Sequence, residues 1–88
     1  HRLLKMLIEK VLISESCIKY LKKRNLSIQY KKAKTKIIEG DFKSVNFKKR
    51  RPYKSEKYYF RINKQYRAFC FFDENKALCV YEINNHQI

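Results

Sequence analysis

"FRINKQYRAFCFF", residues 60–72, decides the fold. Apolar and aromatic residues dominate the run, yet Arg61 and Arg67 stand inside it. The polar "NKQ" in its middle marks a hairpin between two strands, residues 57–63 and 65–72. A three-residue loop over residues 63–65 puts Ile62 opposite Tyr66 and Arg61 opposite Arg67. One face then carries Tyr58, Phe60, Ile62, Tyr66, Ala68, Cys70 and Phe72. The other carries Lys57, Tyr59, Arg61, Arg67, Phe69 and Phe71. A two-residue loop would mix these sets, because strand side chains alternate between faces and a one-residue slip inverts them. The odd loop is therefore expected, with both arginines on one face.

A third strand is expected over residues 77–83, joined by "DENK" (residues 73–76) as a four-residue loop. That register pairs Phe72 with Ala77 and Cys70 with Cys79. Ala77, Cys79, Tyr81 and Ile83 then join the apolar face. Leu78, Val80, Glu82, Asn84 and His86 join the arginine face.

Working toward the N-terminus, "DFKSVNFKKRRPYKSEK" is a basic connection with a short strand expected over residues 45–47. Before it, Tyr30, Ala33, Ile37 and Ile38 form the apolar stripe of a helix over residues 27–39, capped by Ser27 and stopped by Gly40. Lys31, Lys32, Lys34 and Lys36 fall elsewhere on that helix, as a solvated face or a phosphate-binding one. Ser14 or Ser16 caps an earlier helix reaching Arg24, with Ile18 and Leu21 inward and Tyr20 beside them. "MLIEKVLIS" fits either period, and a strand over residues 7–13 is expected. The expected fold class is α+β: a single domain with two N-terminal helices on one face of a twisted antiparallel sheet.

The chain has 88 residues, enough for one core, and 44% of them are hydrophobic, enough to fill it. Lys+Arg is 22 against 8 Asp+Glu, a net charge of +14. Such a field attracts polyanions. Nucleic acid is the first candidate partner, an acidic protein the second and an anionic membrane surface the third. No apolar stretch approaches the ~20 residues that span a bilayer. Cys17, Cys70 and Cys79 form no CxxC pair, which argues against a disulfide framework and a zinc site, so no metal or cofactor is expected. They read as reduced core residues of a cytosolic protein. "HRLLK" (residues 1–5) reads as an extraneous lead before a native start at Met6, without a signal peptide's apolar core.

Charge concentrates in residues 43–67. Lys43, Lys48, Lys49, Arg50, Arg51, Lys54, Lys57, Arg61, Lys64 and Arg67 face only one acid, Glu56. Phe47, Tyr53, Tyr58, Tyr59 and Phe60 are interleaved. Cations neutralise phosphates and rings stack on unpaired bases. The same composition also describes a solubilising loop followed by core aromatics. The arginine-bearing face favours RNA, with Lys48, Lys49, Arg50, Arg51 and Tyr59 as binding residues.

"FRINKQYRAF" and "ALCVYEINNHQ" carry a resemblance. A strand, two helices, a basic connection and three strands with a terminal histidine resemble the RelE/ParE superfamily of bacterial toxins, closest to its RelE, YoeB and HigB-like ribonuclease branches. The resemblance implies that Arg67 stabilises the scissile phosphate, that Arg61 is a second phosphate contact and that His86 is the general acid. Lys48 and Lys49 match the basic loop of the family. Gln87 follows the histidine where some members carry an aromatic, and the YoeB-like base has no clear counterpart, Glu56 being the candidate for it.

The implied reaction needs no metal. The ribose 2′-oxygen attacks the adjacent phosphorus, leaving a 2′,3′-cyclic phosphate and a 5′-hydroxyl. Arginine suits the charged transition state because its planar donors bridge two phosphate oxygens. Histidine suits leaving-group protonation because imidazole exchanges its proton near neutral pH. The implied partners are messenger RNA, the ribosomal A site and an acidic antitoxin, held in a hetero-oligomer in the bacterial cytoplasm. Two rivals stand beside it: a ParE-like poison of DNA gyrase, and a non-catalytic RNA-binding module.

Overall fold

Asn63 closes the central hairpin. Its Oδ1 accepts from the backbone N–H of Gln65 and of Tyr66, both at 2.8 Å, which bends the chain in the manner of an Asx turn. Ile62 N–H reaches Tyr66 O at 2.9 Å, and the strands on either side pair Arg61 with Arg67 and Phe60 with Ala68. The computed structural model describes residues 7–86. The expectation for residues 1–5, with Met6, lies outside them, as does Gln87.

The elements run β1 (Val11–Ile13), α1 (Glu15–Lys23), α2 (Ser27–Glu39), β2 (Lys48–Lys49), β3 (Lys57–Arg61), β4 (Arg67–Phe72) and β5 (Leu78–Asn84). Single 3-10 turns occupy Lys43–Val45 and Tyr53–Ser55. The architecture is α+β. The five strands form one sheet in the order β1-β5-β4-β3-β2. It is antiparallel from β2 to β5, but β1 runs parallel to β5, so the sheet is mixed.

Ser14 starts α1, its Oγ accepting from Cys17 N–H at 3.2 Å. Leu26 holds the N-cap position of α2, so Ser27 is the first helical residue and makes no cap hydrogen bond. Gly40 ends α2 at φ 82°, a left-handed value that costs glycine nothing. Its N–H reaches Ile37 O at 3.0 Å and Asp41 N–H reaches Lys36 O at 2.8 Å. Cys17 and Leu21 of α1 and Tyr30, Ala33 and Ile37 of α2 are buried against Phe60, Ile62, Ala68, Cys70, Leu78, Val80 and Ile83 of the sheet. Each fully buried large apolar side chain contributes about 1.5–3 kcal/mol. Ile38, expected in the stripe, is 40% exposed. No helix among the described residues is long and apolar enough to cross a membrane.

Three expectations about the strands are corrected. The first strand pairs only over Val11–Ile13, the length that lies beside β5, although Ile8 is also buried. Residues 45–47 form no strand: Asn46 turns the chain at φ 50°, and pairing begins one residue after Phe47, at Lys48.

The third correction concerns β5. Asp73 N–H reaches Ala77 O at 3.0 Å, so residues 74–76 make a three-residue loop with Lys76 at φ 65°. Phe72 therefore pairs with Leu78, Phe71 with Cys79 and Cys70 with Val80. Leu78 and Val80 enter the core, while Cys79 and Tyr81 move to the other face. The register then shifts between Phe69 and Cys70, where Tyr81 of β5 is the extra residue and has no partner on β4. Beyond that bulge Glu82 lies opposite Phe69, Ile83 opposite Ala68 and Asn84 opposite Arg67, two residues on from the expected partners but on the expected faces.

A candidate nucleic-acid interface

The face away from the helices is where the arginines stand. Arg61, Arg67 and Asn84 form one row across β3, β4 and β5. Like charges directly opposite in a sheet repel. Neither arginine has a carboxylate partner among the described residues, where Lys36–Asp41 (3.8 Å) is the ion pair found. Arg61 Nη1 donates to Lys64 O at 3.1 Å, which turns its guanidinium toward the hairpin loop. Arg67 Nη1 donates to His86 O at 3.0 Å. Arg67 Nε is buried and makes no hydrogen bond. Arg61, Lys64, Gln65, Arg67 and Asn85 line a hollow of ≈ 260 Å³ between them.

The end of β5 is organised by Asn84. Its Nδ2 donates to Glu82 Oε2 at 2.6 Å, and its Oδ1 accepts from His86 N–H at 3.1 Å. Two polar bridges thus hold the residue at position 86: its amide to Asn84 and its carbonyl to Arg67. An exposed carboxylate, Glu82, stands one step along the same face. Sequence parity places Glu82 there, but nothing in its local pattern marks it as more than a solvated strand residue.

The other expected site residues separate into two groups. Lys48 pairs with Tyr59 and so shares the arginine face; Lys49 pairs with Tyr58 and belongs to the helix face, its Nζ 5.9 Å from the Tyr58 ring centroid. Arg50 lies over Phe69, its guanidinium carbon 4.6 Å from the ring centroid, and Tyr59 flanks the same ring at 6.0 Å. Phe69 is consequently 2% exposed although it is on the face opposite the core. Lys57 similarly covers Phe71 and Tyr81, at 5.3 and 5.6 Å. The rings of this face are thus half-sealed by cations, a contact worth about 0.5–1 kcal/mol at exposed sites. Arg51 turns to Tyr53, its Nε 3.4 Å from the hydroxyl, whose hydrogen bond raises the arginine's already high pKa.

Glu56 is not brought to the arginine pair. It precedes β3 while Arg61 ends it, five residues on, which is about 16 Å at ~3.3 Å per residue. The arrangement thus offers two opposed guanidiniums, a tethered histidine and a carboxylate at one corner, with cation-covered rings behind them. Two guanidiniums so placed can hold a phosphodiester by its non-bridging oxygens. No protein-family model matches the chain, and no curated protein matches it.

Proposed function

We propose that the protein is a toxin of a type II toxin–antitoxin pair, an endoribonuclease that cuts messenger RNA in the ribosomal A site of a bacterial cytoplasm. The RelE-like resemblance of residues 60–69 and 77–87 supports this reading. The observation that carries it is the Arg61–Arg67 pair with His86 O held 3.0 Å from the Arg67 guanidinium.

In the reaction, the 2′-oxygen forms a bond to phosphorus and the bond from phosphorus to the 5′-oxygen breaks. Arg61 and Arg67 meet the charge that grows on the non-bridging oxygens, where fixed donors lower the barrier most. His86 gives its proton to the departing 5′-oxygen. Glu82, and not the distant Glu56, takes the proton of the 2′-hydroxyl. The products are a 2′,3′-cyclic phosphate and a 5′-hydroxyl. An acidic antitoxin covers the arginine face, since a net charge of +14 speeds association with a partner of opposite sign.

The test is growth arrest on expression, with messenger-RNA ends mapped on translating ribosomes. His86→Ala is expected to lower cleavage by about 10²–10⁴-fold, the usual worth of a general acid, with RNA affinity nearly unchanged. Arg67→Ala is expected to cost as much or more. Full toxicity and wild-type cleavage by His86→Ala would refute the catalytic assignment. Toxicity without RNA ends would indicate a gyrase poison instead.

A further inference from the structure

A second hollow, of ≈ 370 Å³, opens between α2 and the β3–β4 turn. Its floor is apolar: Ala33 and Ile62 are buried there. Its rim is cationic, carrying Lys32, Lys36, Arg61 and Lys64. Lys36 is partly neutralised by Asp41 at 3.8 Å, which leaves Lys32, Arg61 and Lys64 to set the potential. The walls are held together. Asn63 Nδ2 donates to Gln29 Oε1 at 2.6 Å, fastening the turn to the helix.

Arg61 and Lys64 line both this groove and the hollow beside Arg67. The two cavities are therefore neighbours on one cationic track that passes over the hairpin turn. An apolar floor under a cationic rim matches a nucleotide, whose sugar and base are apolar-faced and whose phosphates are anionic. The volume, at the small end of ligand pockets of about 300–1,000 Å³, suits a single nucleotide rather than the bulk of a peptide helix. That favours a nucleic-acid strand over an acidic helical peptide.

We propose that this groove is a flanking-nucleotide subsite. It seats the residue of single-stranded RNA one beyond the two joined by the linkage at Arg61 and Arg67, its sugar and base on Ala33 and Ile62 and its phosphates on Lys32 and Lys64. The proposal rests on the reading of the arginine corner as an RNA site. It adds that RNA crosses from the sheet face to the edge of α2, so that recognition extends beyond the cleaved linkage.

The experiment measures binding of an oligouridylate across a salt titration. The wild type is compared with Lys32→Gln/Lys64→Gln, and with Lys19→Gln/Lys23→Gln, two exposed lysines that do not line the groove. Both doubles remove the same charge. The groove double is expected to bind roughly tenfold or more weakly at low salt, with a salt slope shallower by about 0.7 for each lysine. The control double is expected to keep the wild-type slope. A dinucleotide, too short to reach Lys32, is expected to lose less than the oligouridylate does, since of the two lysines only Lys64 also lines the hollow beside Arg67. Equal slopes for the two doubles, or an equal loss for the dinucleotide, would overturn the subsite while leaving the arginine corner standing. Failure of the wild type to bind RNA would overturn both.

Discussion

Arg61 and Arg67 oppose each other across two strands, an arrangement that works against folding and for anion binding. Removing one charge is expected to relieve the sheet. Arg61→Gln is predicted to leave stability unchanged or raise it by about 0.2–1 kcal/mol at low salt, with the gain shrinking as salt rises. Thermal melts at two ionic strengths check this, and a large loss of stability would show that Arg61 is held by a contact beyond its bond to Lys64 O. The cysteines make a second residue-scale prediction. Cys17 and Cys70 are buried, and burial pushes the Cys70 thiol far above the usual range, with Cys79 nearby adding to the rise. Cys79 is half-exposed, though desolvation and the adjacent Asp73 carboxylate raise its pKa as well. Thiolate is the reactive form, so a thiol reagent is expected to label native protein at Cys79, slowly, and at Cys17 and Cys70 only on unfolding. Mass spectrometry of the labelled peptides reads the outcome.

Among elements, the β3–β4 hairpin turns on Asn63, which makes two bonds within its turn and a third to α2. Asn63→Ala is predicted to cost about 1–3 kcal/mol in a denaturant titration, from donors left with poorer partners and from loosened helix contact. Phe60→Ala, at the fully buried centre of β3, is predicted to cost about 3–5 kcal/mol. The hairpin was legible in the sequence because only one loop length separates its arginines from its apolar side chains. The register of β5 was not. Leu78, Val80, Cys79 and Tyr81 are apolar on both parities, so alternation could not choose a face. The bulge beside Phe69 carries no glycine to announce it. Of the site, Arg61 and Arg67 could be placed opposite each other from pattern alone, and His86 is brought beside Arg67 by its backbone carbonyl. Lys49 could not, because a two-residue strand such as β2 has no alternation of its own to read. Glu82 was on the right face but became a candidate base only through its bond to Asn84.

For the whole molecule, charge is the dominant variable. A net +14 on 88 residues opposes compaction, so stability is expected to rise with moderate salt as the repulsion is screened. RNA affinity is expected to fall over the same range, by about 0.7 in logarithmic slope per phosphate contact on a single strand. Melting and binding curves run in one buffer series should therefore move in opposite directions. The order β1-β5-β4-β3-β2 has a consequence for how the protein is born. The strand that joins β1 to the rest of the sheet, β5, follows the other described strands in the chain. Until Asn84 has left the ribosome, β1 has no neighbour, β4 has a bare edge and the carbonyl that Arg67 grips does not yet exist. The helices can form early, since their contacts are local, but the pairing of β1 with β5 spans most of the chain and must wait. A nascent chain that has not yet delivered β5 consequently lacks the joined sheet, and the arginine corner takes shape only once residues 78–86 are available.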